Sequence, residues 1–109
     1  MDMISDQTIK EVVQFTKERD WDQFHSPGNL AKSISIEANE LLECFQWNDT
    51  DYDKKHVAEE LGDVLNYCIL MADKLGLDLD QIVQEKLAIN AIKYPVDKAK
   101  GTSKKYSEL

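Results

Sequence analysis

Glu37-Ala38-Asn39-Glu40 and Glu60-Leu61-Gly62-Asp63 are the two short stretches around which this chain is organised. Each stretch lies within a run of apolar residues at helical spacing, and its two acids are three residues apart, so both project from one face of a helix. Four carboxylates directed at one place repel one another, and a hard divalent cation offsets that repulsion best. The sequence therefore predicts two neighbouring helices that together build a magnesium site.

The first acidic stretch belongs to a helix that starts at Ser26-Pro27, with Ser as the cap and Pro at the first helical position. The apolar stripe of this helix recurs with the helical period and consists of Leu30, Ile34, Ala38, Leu41, Leu42 and Phe45. At about 100° per residue, Glu37 and Glu40 border this stripe, whereas Glu43 points further towards solvent. The first two acids are therefore expected at the edge of the core.

The second acidic stretch belongs to the longest helical pattern, which follows a loop at residues 47–51 and a candidate cap at Asp53. Its apolar positions are Val57, Leu61, Val64, Leu65, Cys68, Ala72 and Leu75. Glu60, Asp63 and Tyr67 share one face, which again borders the apolar stripe. Gly76 is a natural C-terminal stop for this helix.

Two further helices complete the predicted architecture. Ser5 or Asp6 caps the first, which ends near residues 19–20, and Asp78 or Asp80 starts the fourth, which ends at residues 94–95 because proline cannot continue it. Short links suggest antiparallel neighbours, so we expect an all-α, four-helix bundle-like fold in a single domain, residues 1–109. The lysine-rich tail, residues 96–109, is either a flexible, solvated end or a flap that closes over a substrate.

The charge and hydropathy of the chain disfavour nucleic-acid-binding and membrane proteins. The net charge of −8 disfavours binding to nucleic acid or to an anionic membrane, because both need a basic surface. No apolar run is long enough to cross a bilayer and no signal-peptide pattern is present, so we expect a soluble, cytoplasmic protein. Cys44 and Cys68 lie in helical patterns and are expected to be buried thiols rather than a disulfide or a zinc site.

The four acids could belong to a solvated helix face or to one of several kinds of metal site, and the residue types favour some of these over others. Acids three residues apart are common on solvated helix faces, but two such pairs beside the core, without lysine partners, favour a cation. Carboxylate oxygens suit magnesium, manganese or calcium. A di-iron site would normally add a Glu-x-x-His pattern, and here only His56 precedes Glu60 by one turn. Magnesium usually completes its shell with substrate phosphates, so a phosphate-bearing substrate is expected.

The ordered combination of motifs resembles the MazG-like, all-α nucleoside triphosphate pyrophosphohydrolases, and within them the dCTP pyrophosphatase branch. The segments that carry the resemblance, besides the two acidic stretches, are residues 18–30, 45–47, 59–65, 89–90, 93–95 and 103–106. The resemblance therefore runs over nearly the whole chain. Val12 stands where, in some dCTP-preferring relatives, a histidine contributes to the base pocket.

The resemblance implies a magnesium-dependent hydrolase that cleaves a nucleoside triphosphate, dCTP or a modified pyrimidine form, to the monophosphate and pyrophosphate. It implies a house-cleaning role, a homodimer or homotetramer, and Mg²⁺, with Mn²⁺ as a substitute, held by Glu37, Glu40, Glu60 and Asp63. It also implies a nucleotide pocket formed by Trp21, His25, Trp47 and Tyr67, with Lys86, Asn90 and Lys93 near the phosphates. As a mechanistic hypothesis, Glu37 or Glu40 orients or deprotonates the attacking water.

The pocket residues have simpler interpretations when taken singly. Trp21 and Trp47 lie in links at helix ends, which suits stacking on a flat base, although either could be a core aromatic. His25 could be a surface or capping residue, and Tyr67 a satisfied bundle tyrosine. The competing function class is a non-catalytic acidic oligomerisation or adaptor protein, whose acids face solvent and whose stability magnesium leaves unchanged.

Overall fold

The computed structural model describes residues 4–109, and within that range it contains helices and turns without any β-strand. The helices are α1 (Asp6–Glu18), α2 (Pro27–Glu43), α3 (Lys54–Leu75), α4 (Leu79–Lys93) and the single turn α5 (Val96–Ala99), with 3₁₀ turns at Asp22–Phe24 and Tyr106–Glu108. The predicted all-α class is confirmed. The turn α5 is an addition to the four predicted helices, because Pro95 ends α4 and then serves as the N-cap of a new turn.

Each of the four long helices begins at a polar cap that local sequence rules identify. Ser26 and Asp53 cap α2 and α3 as predicted, and Ser26 Oγ accepts a hydrogen bond from the Asn29 N–H at 3.1 Å. Of the two candidates at each outer helix, Ser5 caps α1 and Asp78 caps α4. Such caps satisfy backbone N–H groups that have no partner within the helix, and each contributes about 1 kcal/mol.

Gly76 ends α3 as predicted. It adopts a φ of 65°, which a residue without a Cβ reaches at little cost, and the Leu77 N–H donates back to the Ala72 carbonyl at 2.8 Å. Asp78, two residues further on, caps α4.

The pairing of α2 with α3 holds the two acidic stretches side by side. These helices pack along each other, and α1 packs against α3, around a small core in which Leu30, Ile69, Leu70 and Ala72 are buried. This core fixes the register of α2 against α3, and the acids at its edge are positioned by that register.

The fourth helix stands apart from this three-helix unit. α4 makes only marginal contact with the other helices, and the chain has a radius of gyration of 17.0 Å, against about 13 Å for a compact domain of this size. The tail folds back onto α4 instead, with the Tyr106 ring 6.2 Å from that of Tyr94 and 4.7 Å from Lys93 Nζ.

Several predicted core positions are exposed in the single chain. They are Leu42, Leu61, Leu65 and Leu75 of the α2 and α3 stripes. The apolar residues Val83, Leu87 and Ile89 of α4 are exposed as well. Cys44 and Cys68 are free thiols that are half-buried rather than fully buried. Within residues 4–109, every helix is too short or too polar to cross a membrane.

Candidate functional site: an acidic cluster beside an aromatic-walled cavity

The two acidic stretches converge as their spacing predicts. One carboxylate oxygen from each of Glu37, Glu40, Glu60 and Asp63 can be chosen so that all four lie within 4.8 Å of one another. The first two acids come from α2 and the last two from α3, so the helix pairing described above creates the cluster.

Burial and mutual repulsion raise the pKa values of two acids in the cluster. Burial raises the pKa of Glu37 to about 7, and the neighbouring carboxyl groups of Glu40, Asp63 and Glu60 add to this effect. The pKa of Glu60 is raised by burial and then by the charge of Glu40, while the nearby His56 opposes the shift. Carboxyl groups in this arrangement ionise together only with an opposing positive charge.

The donor set fits a hard divalent cation. Glu37 Oε2 and Glu60 Oε2 are both buried and have no hydrogen-bond partner among the described residues. Such orphaned acceptors are costly, and a cation coordinated by oxygen ligands would satisfy both. His56 Nε2 lies 4.0 Å from Glu60 Oε1 but does not belong to the group of four acids, so the pattern of a histidine-containing di-iron site is not formed between residues 4 and 109.

A cavity of about 410 Å³ opens directly beside the cluster, and Asp63 belongs to both. Three residues predicted for the nucleotide pocket, Trp21, His25 and Tyr67, line this cavity. Its volume lies within the usual range for small-molecule sites. The acids and the predicted stacking residues therefore form one continuous site.

Aromatic contacts shape the cavity walls. The Phe15 and Trp21 rings meet edge to face at 5.9 Å, and the Arg19 guanidinium lies 3.6 Å above the Phe15 ring. A second pair of lining residues, His25 and Tyr67, meets edge to face at 6.3 Å. His25 Nδ1 is buried without a partner among the described residues. These contacts orient flat faces around a space that a heterocyclic ring can enter.

The other predicted substrate residues lie elsewhere in the single chain. Trp47 is 90% exposed in the link between α2 and α3 and does not line the cavity. Lys86, Asn90 and Lys93 are on α4, which makes no substantial contact with α2 or α3. Their roles in binding remain predictions.

Sequence reasoning missed part of the cavity lining. Thr8, Glu11 and Phe15 on α1 and Asn66 on α3 also face it. Asn66 follows Asp63 by three residues. The helical period that grouped Asp63 with Tyr67 could therefore also have predicted that Asn66 lies near Asp63 on the helix surface. No sequence pattern connects Glu11 with the acidic stretches. Its place in the cavity lining depends on the packing of α1 against α3, which the sequence alone does not reveal.

Comparison with known proteins places this arrangement in a family. The MazG-like family matches residues 32–109, the part of the chain that contains all four acids. The chain belongs to the MazG-like family. The predicted resemblance is thereby confirmed, and the acidic helices of this MazG-like chain are within the matched region.

Individual relatives agree with this assignment. The MazG-like chain is 39% identical to mouse (Mus musculus) and 38% identical to human (Homo sapiens) dCTP pyrophosphatase 1, in both cases over 88% of this chain and 62% of the relative. It spans about three fifths of the length of these two relatives. Its structure resembles the crystal structure of a pyrophosphatase from Archaeoglobus fulgidus, with a TM-score of 0.77, 36% identity, and coverage of 82% of this chain and 90% of that one.

Proposed function

We propose that this chain is a nucleoside triphosphate pyrophosphohydrolase that requires a divalent cation, Mg²⁺, with Mn²⁺ as a substitute. The observation that carries the proposal is the convergence of four carboxylates, two of them with buried and unpartnered oxygens, at the mouth of an aromatic-walled cavity. The similarity to two dCTP pyrophosphatases and to an archaeal pyrophosphatase supports the same reaction class.

The residues of the acidic cluster would bind the cation and orient the attacking water. Glu37, Glu40, Glu60 and Asp63 would hold the cation, which when bound offsets phosphate charge and acidifies a water molecule. Glu37 would orient the attacking water or accept a proton from it, because it lies in the cluster beside the cation that would acidify that water. Glu40, in the same cluster, would share the orientation of the water.

The cavity would hold the nucleoside. Trp21 and Tyr67 both contribute aromatic surface to its lining, which favours stacking of a flat base. Asp63 at its edge would bring the triphosphate to the cation while the base enters the aromatic part. We propose dCTP or a modified pyrimidine triphosphate as the substrate, with the monophosphate and pyrophosphate as products.

We further propose that the active form is a homodimer or homotetramer. Ile92 is 82% exposed, Leu87 56% and Trp47 90%, and α4 stands away from its own core. Apolar surface on this scale favours burial against a second copy. Such an assembly could bring Trp47, and the polar α4 residues Lys86, Asn90 and Lys93, to a site that lacks them within one chain.

Product analysis tests the proposed function. The protein is incubated with dCTP, dTTP, dATP and dGTP in Mg²⁺ and in EDTA, and the products are separated by anion exchange. The proposal predicts monophosphate and pyrophosphate in Mg²⁺ only. Diphosphate and phosphate would overturn the proposed site of cleavage, and no turnover of any nucleotide would favour the adaptor function instead.

A further inference from the structure

We propose that Glu11 and Asn66 select the base by reading its hydrogen-bonding edge, and that they favour a base with an exocyclic amino group beside a ring nitrogen acceptor. This inference rests on the proposed function, since it assigns a role within the same cavity. Both residues line that cavity, Glu11 from α1 and Asn66 from α3, and neither belongs to the acidic cluster.

Glu11 is a positioned hydrogen-bond acceptor. Its Oε1 accepts a hydrogen bond from Gln7 Nε2 at 2.8 Å, which restrains the carboxylate on the α1 surface. Its other oxygen makes no hydrogen bond to the rest of residues 4–109 and is available to a ligand. An ionised carboxylate only accepts hydrogen bonds, so this oxygen attracts an amino group and repels a carbonyl oxygen.

Asn66 supplies the complementary group. Its amide can donate and accept, and it makes no side-chain hydrogen bond within the described part of the chain. Asn66 is three residues beyond Asp63 and adjacent to Tyr67, and all three residues line the cavity. A donated N–H from this amide matches the ring nitrogen acceptor next to the amino group of the base.

The rest of the lining combines apolar and aromatic side chains with the polar groups of Thr8, Thr16, His25 and Tyr67. Val12 and Leu70 have no hydrogen-bonding side chain, and Phe15 and Trp21 contribute flat surface. The carboxylates of the lining are Glu11 and Asp63, and Asp63 belongs to the acidic cluster. A carboxylate facing an amino group is the pairing that proteins use to recognise cytosine. Uracil and thymine present a carbonyl at the position where cytosine has its amino group, so Glu11 disfavours them. Adenine shares the amino edge and differs in size.

The experiment measures equilibrium binding of dCMP, dAMP and dUMP in Mg²⁺ by calorimetry, because monophosphates are the proposed products and are not consumed. The variants are Glu11→Gln and Asn66→Leu. The matched control is Glu85→Gln, since Glu85 accepts from Gln81 at 2.9 Å in the same i, i+4 arrangement but lies on α4, outside the cavity. In parallel, each protein is tested for hydrolysis of dCTP and dUTP.

The proposal predicts that the wild type binds dCMP roughly tenfold or more tightly than dUMP. Glu11→Gln should bring the two affinities to within about threefold of each other, and Asn66→Leu should weaken dCMP binding, whereas Glu85→Gln should retain the wild-type ratio. Binding of dAMP comparable to dCMP would assign recognition to the amino edge alone, and weak binding of dAMP would add selection by ring size.

Two results would overturn the inference while the proposed function stands. One is a wild-type enzyme that hydrolyses triphosphates but binds dCMP and dUMP equally, and the other is a Glu11→Gln variant with the wild-type ratio. If instead no triphosphate is hydrolysed and no monophosphate binds, both the function and the inference fail.

Discussion

Asp63 and Tyr67 lie one helical turn apart on α3, and both line the same cavity, while Asp63 also belongs to the acidic cluster. One helix therefore presents a carboxylate of the acidic cluster and an aromatic surface to a single space. A nucleotide combines a flat base with a phosphate chain a short distance away, and its two ends match these two neighbouring features.

Replacement of a single cluster acid should separate stability from activity. We expect Glu60→Gln to reduce turnover about 100-fold or more, because a lost ligand removes several kcal/mol of transition-state charge stabilisation. The same change should raise the melting temperature of the metal-free protein, because it removes one of four repelling carboxylates. Steady-state kinetics and thermal melts measure the two effects. Glu59→Gln, an adjacent exposed position outside the cluster, is the control and should change neither.

The metal-free protein should become less stable as the pH rises from 5 to 8. Glu37 has its pKa raised from 4.5 to about 7 in the folded chain, so between these values the folded state binds more protons than the unfolded state. The free energy of unfolding therefore falls across this window. Melts in EDTA at several pH values measure it, and saturating Mg²⁺ should reduce the pH dependence. Stability that increases from pH 6 to pH 8 in EDTA, or an unchanged profile in Glu37→Gln, would contradict the assignment.

Trp21 should report directly on the base. The chain has two tryptophans, so Trp47→Phe leaves Trp21 as the only one. Because Trp21 lines the cavity, we expect Mg²⁺ and dCMP to quench its fluorescence by stacking. Mg²⁺ with pyrophosphate, which has no base, is the control and should leave the emission nearly unchanged. Nucleotide binding without any change in Trp21 emission would show that the base lies elsewhere.

The exposed face of α4 should control assembly. Ile92 is 82% exposed in the single chain, and a charge at this position would be buried without a partner in an oligomer. We expect the wild type to have two or four times the mass of one chain by light scattering, and Ile92→Glu to shift it towards the monomer and to lower activity. Gln84→Glu makes the same change in charge on the same helix and should retain the wild-type mass. A monomeric, fully active wild type would refute the proposed assembly.

Local rules predicted much of the fold. Ser26, Asp53 and Gly76 act at helix ends through their own backbone contacts, so neighbouring residues are enough to identify them. The acidic cluster was also predictable, because a spacing of three residues on two adjacent helices leaves little freedom for where the acids point.

What the sequence could not predict depends on contacts between distant segments. The stripe that includes Leu42 and Leu61 identifies an apolar face but not what covers it, and these residues are exposed in the single chain. For the same reason the sequence of α4 could not reveal that this helix makes only marginal contact with the other helices. Glu11 became a candidate only when α1 was seen to form a wall of the cavity.

The most direct test of the central claim is a crystal structure of the protein grown with Mn²⁺, with an anomalous difference map calculated at the manganese edge. Our account predicts a peak between Glu37, Glu40, Glu60 and Asp63, with carboxylate oxygens about 2.1 Å from the ion, as in magnesium sites. The same data from Glu60→Gln should show a weaker peak or none. Wild-type crystals with no peak at these acids, while the protein still hydrolyses nucleotides with Mn²⁺, would contradict the account.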